Sequence, residues 1–177
     1  MKKLPWLLIV GGLIAFLFSF LITFEKNIIL SDPNHVTPCD INPFISCGTV
    51  MRTAQASVFG FPNSLLGIAG FAIVATIGFA LLSGAQFKRW FWLGTQAGLT
   101  FAVGFIFWLF FQSVFRIGAL CPYCMGVWTV TIPMFVYVTA YNFPRFAPYA
   151  LATMLSLYGI IIASIVYQFW AFWSTMI

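Results

Sequence analysis

Apolar residues in this chain come in long uninterrupted blocks rather than in alternating or helical stripes. Leu4 to Phe24, Asn63 to Leu82, Trp90 to Phe115, Pro122 to Phe143 and Pro148 to about Trp173 each hold roughly 20 to 26 residues without a charge. Segments of this length and apolarity predict membrane-crossing helices, because only a helix satisfies its own backbone inside a bilayer. The fold class expected is all-α and integral to a membrane, with five spans, four of them bundled around a site. The whole chain, residues 1–177, reads as a single membrane domain. Lys2 and Lys3 give the first block a basic start like that of a signal peptide. Its full span length, with no small-x-small cleavage site after it, favours a retained helix.

Polar residues collect in one place, residues 25–62. All three acids (Glu25, Asp32, Asp40), the sole histidine (His35) and two cysteines lie there, among the turn formers Pro33, Asn34, Pro38 and Asn42-Pro43. Gly48 to Val58 shows apolar residues near helical spacing and predicts a short interfacial helix, which Gly60 and Pro62 end. Pro133 lies inside the fourth block and predicts a kink.

Composition agrees with the blocks. The chain is 62% hydrophobic and 6% charged, with a mean hydropathy of +1.02. A soluble domain of this size could not hide that much apolar surface. The net charge of +5 is scattered and forms no nucleic-acid patch. Antiparallel spans place Lys2, Lys3, Lys88, Arg89 and Arg145 on one side with no acid, and Lys26, Arg52 and Arg116 on the other with all three acids. The basic excess predicts that the first side, with the N-terminus, is cytoplasmic. Residues 25–62 and the third link then share the extracytoplasmic side, and with them every cysteine.

Those cysteines are Cys39, Cys47, Cys121 and Cys124. Cys121-Pro122-Tyr123-Cys124 is a C-x-x-C pair at a predicted helix start, where the helix dipole favours thiolate, the form that attacks disulfides. Taken alone, C-x-x-C fits half a zinc site or an inert pair equally well. Two dithiol pairs on one oxidising face point to a thiol–disulfide relay from a soluble partner to a lipid-soluble carrier. The plainer reading is one or two static disulfides in a scaffold. A transporter is disfavoured because the spans lack charges, and Cys-x7-Cys does not suit a zinc knuckle.

The set Cys39-x7-Cys47, Gly60-Phe61-Pro62-Asn63-Ser64-Leu65-Leu66-Gly67 and Cys121-x-x-Cys124 resembles the vitamin K epoxide reductase family, most closely its bacterial disulfide-forming members without a fused thioredoxin-like domain. The resemblance implies that Cys121 and Cys124 are the active-site pair beside a membrane quinone (menaquinone or ubiquinone). Cys124 would form the quinone adduct or charge-transfer species, and Cys121 would exchange with the loop. Cys39 and Cys47 would shuttle electrons from a separate DsbA-like oxidase of thioredoxin fold, with Cys39 meeting the partner. It implies contact with the quinone at Thr53, where the family carries serine, and at Asn63. No metal and no nucleic acid are implied, and membrane lipid surrounds the spans. Trp128 stands where animal members carry tyrosine, which argues against epoxide reduction. Disulfide-bond-forming protein B, a four-span protein with the pairs in the opposite order, fits less well.

Of the remaining residues, Arg116 reads as an interfacial anchor, and His35 and Arg52 as solvated. Trp6, Trp90, Trp170 and Trp173 read as interface belt residues. Phe105, Phe107, Phe110 and Phe111 could wall a quinone pocket, but a run this apolar is more often lipid-facing or bundle core.

Overall fold

A computed structural model describes residues 3–170; Lys2 and Trp173 lie outside them. Six α-helices form the described chain: α1 Leu4–Ser31, α2 Cys47–Met51, α3 Ser64–Leu82, α4 Arg89–Phe111, α5 Pro122–Asn142 and α6 Ala150–Gln168. Five of these, counting the turns continuous with α4 and α6, are long and apolar enough to cross a membrane. The protein is a multi-pass, all-helical membrane protein.

α1 runs a full two turns past the expected boundary at Phe24. Its 28 residues reach about 42 Å at ~1.5 Å per residue, more than the ~30 Å of hydrocarbon. Charge at Glu25 marks where the hydrocarbon ends, not where the helix ends. The last turns stand above the membrane, and Glu25 and Lys26 are buried there against the following loop. That loop therefore begins at Asp32, whose extended backbone stops the helix just before Pro33.

The expected interfacial helix, residues 48–58, is broken in two. α2 ends at Met51, and a 3-10 turn covers Ala54–Ser57. Thr53 between them is extended, with φ −78° and ψ 155°, and its Oγ1 donates to the Val50 carbonyl at 2.7 Å. A β-branched residue whose hydroxyl takes a backbone carbonyl competes with the helical pattern, and here it interrupts it.

α4 passes directly into a π turn, Gln112–Ile117, so the third span reaches beyond Phe115 and Arg116 sits within the turn. α5 ends at Asn142, and Pro133 lies inside it. Residues Pro144–Tyr149 form a 3-10 turn before α6, so the fifth span enters the membrane through a tighter turn than a plain helix from Pro148.

Packing follows small residues. α3 lies along α1, and α4 along α5, with α1 also against α5. At Gly78 a Cβ would come within 2.9 Å of the Ile9 nitrogen and the Pro5 carbonyl, so only glycine allows α1 and α3 to approach this closely. α6 is peripheral, with Leu151, Leu155, Ile160 and Ile162 exposed as a lipid-facing surface should be. Trp6, Trp90 and Trp170 are exposed as well.

Candidate active site

All four cysteines meet at one end of the bundle, where α1 and α4 finish and α3 and α5 begin. The polar loop reaches this end because two backbone bonds pair it with the chain entering α5. Ser46 N–H donates to the Leu120 carbonyl at 2.9 Å, and Leu120 N–H to the Phe44 carbonyl at 2.7 Å. The residues that follow, Cys47 and Cys121, are thereby brought side by side. Cys39, Cys47 and Cys121 share one buried apolar cluster with Ile29 and Met51.

Cys39 and Cys47 form a disulfide, with Cα atoms 5.6 Å apart. Cys121 and Cys124 are free thiols. Cys121 is the N-cap of α5, and its sulfur accepts the Cys124 N–H at 3.4 Å. A hydrogen bond from the Cys124 side chain lowers the Cys121 thiol below the ordinary range, and outweighs the burial that would raise it. Pro122 opens the helix at no hydrogen-bonding cost.

The two thiols of the C-x-x-C pair face different surroundings. Cys121 is fully buried against the loop disulfide. Cys124 lines a cavity of about 660 Å³. Its walls are mostly apolar and follow the gap between α3 and α4, from Trp90 and Phe91 up to Gln112. Such a volume and lining suit an apolar small molecule with a few polar contacts. Thr53, Asn63 and Gln112 are among the polar residues in the same lining as Cys124.

Thr53 and Asn63 both border the cavity, and both also hold the loop. Asn63 Oδ1 accepts the Val58 N–H at 3.0 Å, and its Nδ2 donates to the Gln55 carbonyl at 2.7 Å. Trp128, on the cavity wall, meets Phe110 edge to face at 5.3 Å. Phe105 lines the cavity too, against the expectation that it faces lipid or core. Gln112 and Ser113 were not singled out by sequence reasoning. A glutamine near the end of an apolar span was the available signal.

The loop is not loosely held. The Asp40 carboxylate accepts from Thr37 N–H, Ser46 Oγ and Gly48 N–H. Burial would raise its pKa, and these hydrogen bonds hold it below the usual carboxylate range instead. Lys26 donates to the Met51 carbonyl. His35, expected to be solvated, is engaged, its Nε2 lying 2.9 Å from Glu25 Oε2; Arg52 is exposed, as expected, and donates to the His35 carbonyl at 2.8 Å. These contacts exist because α1 extends far enough to meet the loop. Cys39 is only 6% exposed. Arg116 is exposed. Among the described residues, no group of three or more His, Cys, Asp or Glu could hold a metal ion.

The family model for the vitamin K epoxide reductase family matches residues 6–139. No curated protein matches the sequence.

Proposed function

The chain belongs to the vitamin K epoxide reductase family, and from that premise we propose that it carries electrons from a dithiol protein to a membrane quinone. Membership makes it a membrane oxidoreductase of thiol–disulfide or quinone chemistry. The finer reading is that it reoxidises a separate thioredoxin-fold oxidase of the DsbA kind, so that exported proteins acquire disulfides. The observation that carries this reading is the split environment of the C-x-x-C pair: Cys121 is buried with the loop disulfide, and Cys124 borders an apolar cavity.

The exchange begins with Cys121–Cys124 closed. A partner thiolate attacks Cys39, and Cys47 leaves as thiolate. Cys47 attacks Cys121, and Cys124 leaves as thiolate at the cavity wall. The partner's second thiol then releases Cys39. Cys39 attacks Cys47, re-forming the loop disulfide and freeing Cys121. Two partner thiols have become a disulfide, and Cys121–Cys124 has become two thiols. The observed arrangement, with the loop pair closed and Cys121 and Cys124 free, matches the end of this sequence. A low thiol pKa at Cys121 makes it both a good leaving group and a ready thiolate.

A quinone, when bound, accepts two electrons and two protons. The cavity suits one: Thr53, Asn63 and Gln112 offer polar groups in the lining it shares with Cys124, and apolar walls along the length of α4 suit a hydrocarbon tail. The basic side chains at the opposite end of the bundle support a cytoplasmic N-terminus, and with it cysteines on the extracytoplasmic side.

The test is quinone reduction by purified protein with a reduced thioredoxin-fold oxidase as donor. One quinol per partner disulfide, abolished in Cys124→Ala, is the expected result. No reduction across several quinones and donors, in protein whose Cys39–Cys47 bond is intact, would contradict the proposal and favour static disulfides.

A further inference from the structure

We propose that Asp40 is a positioning residue that keeps Cys47 seated beside Cys121 while the Cys39–Cys47 disulfide is open. The inference rests on the relay described above and names how its loop survives its own chemistry. In the relay, the loop must be bonded to a partner at Cys39 while Cys47 exchanges with Cys121. If the disulfide alone closed residues 39–47, opening it would free that segment, and Cys47 would lose its high local concentration at Cys121.

Asp40 cross-links the same segment without using sulfur. Its Oδ1 accepts from Ser46 Oγ at 2.7 Å and from Gly48 N–H at 2.9 Å, and its Oδ2 from Thr37 N–H at 3.0 Å. One carboxylate thus ties the approach to Cys39 to the residues on either side of Cys47. Hydrogen bonds to an ionised carboxylate are among the stronger ones a protein makes. Gly48 leaves room for it, since a Cβ there would lie 2.7 Å from Asp40 Oδ2. The bonds are also aimed. Ser46 Oγ accepts the Thr49 N–H at 3.0 Å and so caps α2, whose first residue is Cys47. Ser46 N–H meanwhile holds the Leu120 carbonyl, one residue before Cys121. Asp40 therefore braces the one residue that both starts the Cys47 helix and pairs with the entry to Cys121. None of these contacts requires Cys39 to be bonded to Cys47.

The test uses the full chain in detergent as Cys39→Ala/Cys124→Ala, which leaves Cys47 and Cys121 as the only thiols. Their closure by diamide is timed by thiol labelling. Adding Asp40→Ala should slow closure about tenfold, the effect of losing hydrogen bonds to a charged group. Asp40→Asn should restore it to within about threefold, because the amide oxygen can still accept from Ser46 and Gly48. If Asp40→Ala prevents folding, Ser46→Ala should slow closure by about two- to threefold through the loss of a single side-chain anchor. Closure at the parent rate in Asp40→Ala, or in Ser46→Ala where the former does not fold, would overturn the proposal. So would equal slowing by Ala and Asn together with lowered thermal stability, which marks a general structural role. Neither quinone nor partner takes part, so a negative result leaves the electron-transfer reading standing.

Discussion

The two cysteine pairs sit in one cluster but are held by opposite means. The loop pair is held by polar bonds: Asp40, Ser46, Lys26 and Arg52 all tie the loop to itself, to α1 or to α5. The helix pair is held by a helix start and by apolar packing, with Cys121 as N-cap and Cys124 on the cavity wall. The polar frame uses no sulfur, so it can stay in place while a disulfide opens. The helix start cannot shift far, because α5 is packed on α1 and α4. In the exchange proposed above, any shift falls to the loop around Cys39, and the helix pair stays fixed.

The strongest way to break the comparison is to cut between the pairs. Cys47→Ala and Cys121→Ala should each lower turnover with a protein dithiol by about a thousandfold or more, and the double variant should be no worse than either, as for residues acting as one unit. Steady-state rates check this. Additive losses would mean that the pairs work independently.

A second cut separates the supports. Asn63→Ala removes two hydrogen bonds beside the helix-pair cavity and should cost about 1–3 kcal/mol of stability, read by thermal unfolding. Closure of Cys39–Cys47 should be unchanged, because no Asn63 bond reaches that loop segment.

How much of this was legible beforehand follows the same division. The spans and the C-x-x-C at a helix start rest on local pattern, and pattern is what a sequence displays; Thr53 and Asn63 came only with the family resemblance. The end of α1, the break at Thr53, the Glu25–His35 pair and the burial of Cys39 depend on where a distant segment lands. Glu25 looked like a loop residue because charge marks the edge of the hydrocarbon. Only the loop folding back onto α1 makes two more helical turns useful. Phe105 could not be told from its neighbours, since every phenylalanine in an apolar run looks alike until α3 and α4 leave a gap.

A smaller effect sharpens the electrostatic contrast. The closed loop pair does not titrate, whereas Cys121 stays thiolate to lower pH than an ordinary thiol because the Cys124 side chain donates to it. Removing that donor in Cys124→Ala should move the Cys121 midpoint upward, so that at a fixed pH below the new midpoint less thiolate is present. Cys124→Ser keeps a donor and should move it less. Thiolate absorbance against pH reads both. An unchanged midpoint in Cys124→Ala would assign the lowering to the helix start alone.

The smallest effect concerns the rim of the loop. Glu25→Gln breaks a pair whose histidine side chain is 27% exposed, and should change stability by no more than about 1 kcal/mol. Thermal unfolding checks it, and a much larger loss would mean that this pair, rather than Asp40, holds the loop.

The most direct test of transfer between the pairs is to follow which disulfide forms first. Fully reduced protein is mixed with one equivalent of quinone, quenched in acid at intervals and mapped by mass spectrometry. The account predicts that Cys121–Cys124 appears first and that Cys39–Cys47 forms at its expense. Direct appearance of Cys39–Cys47, at an unchanged rate in Cys124→Ala, would contradict it.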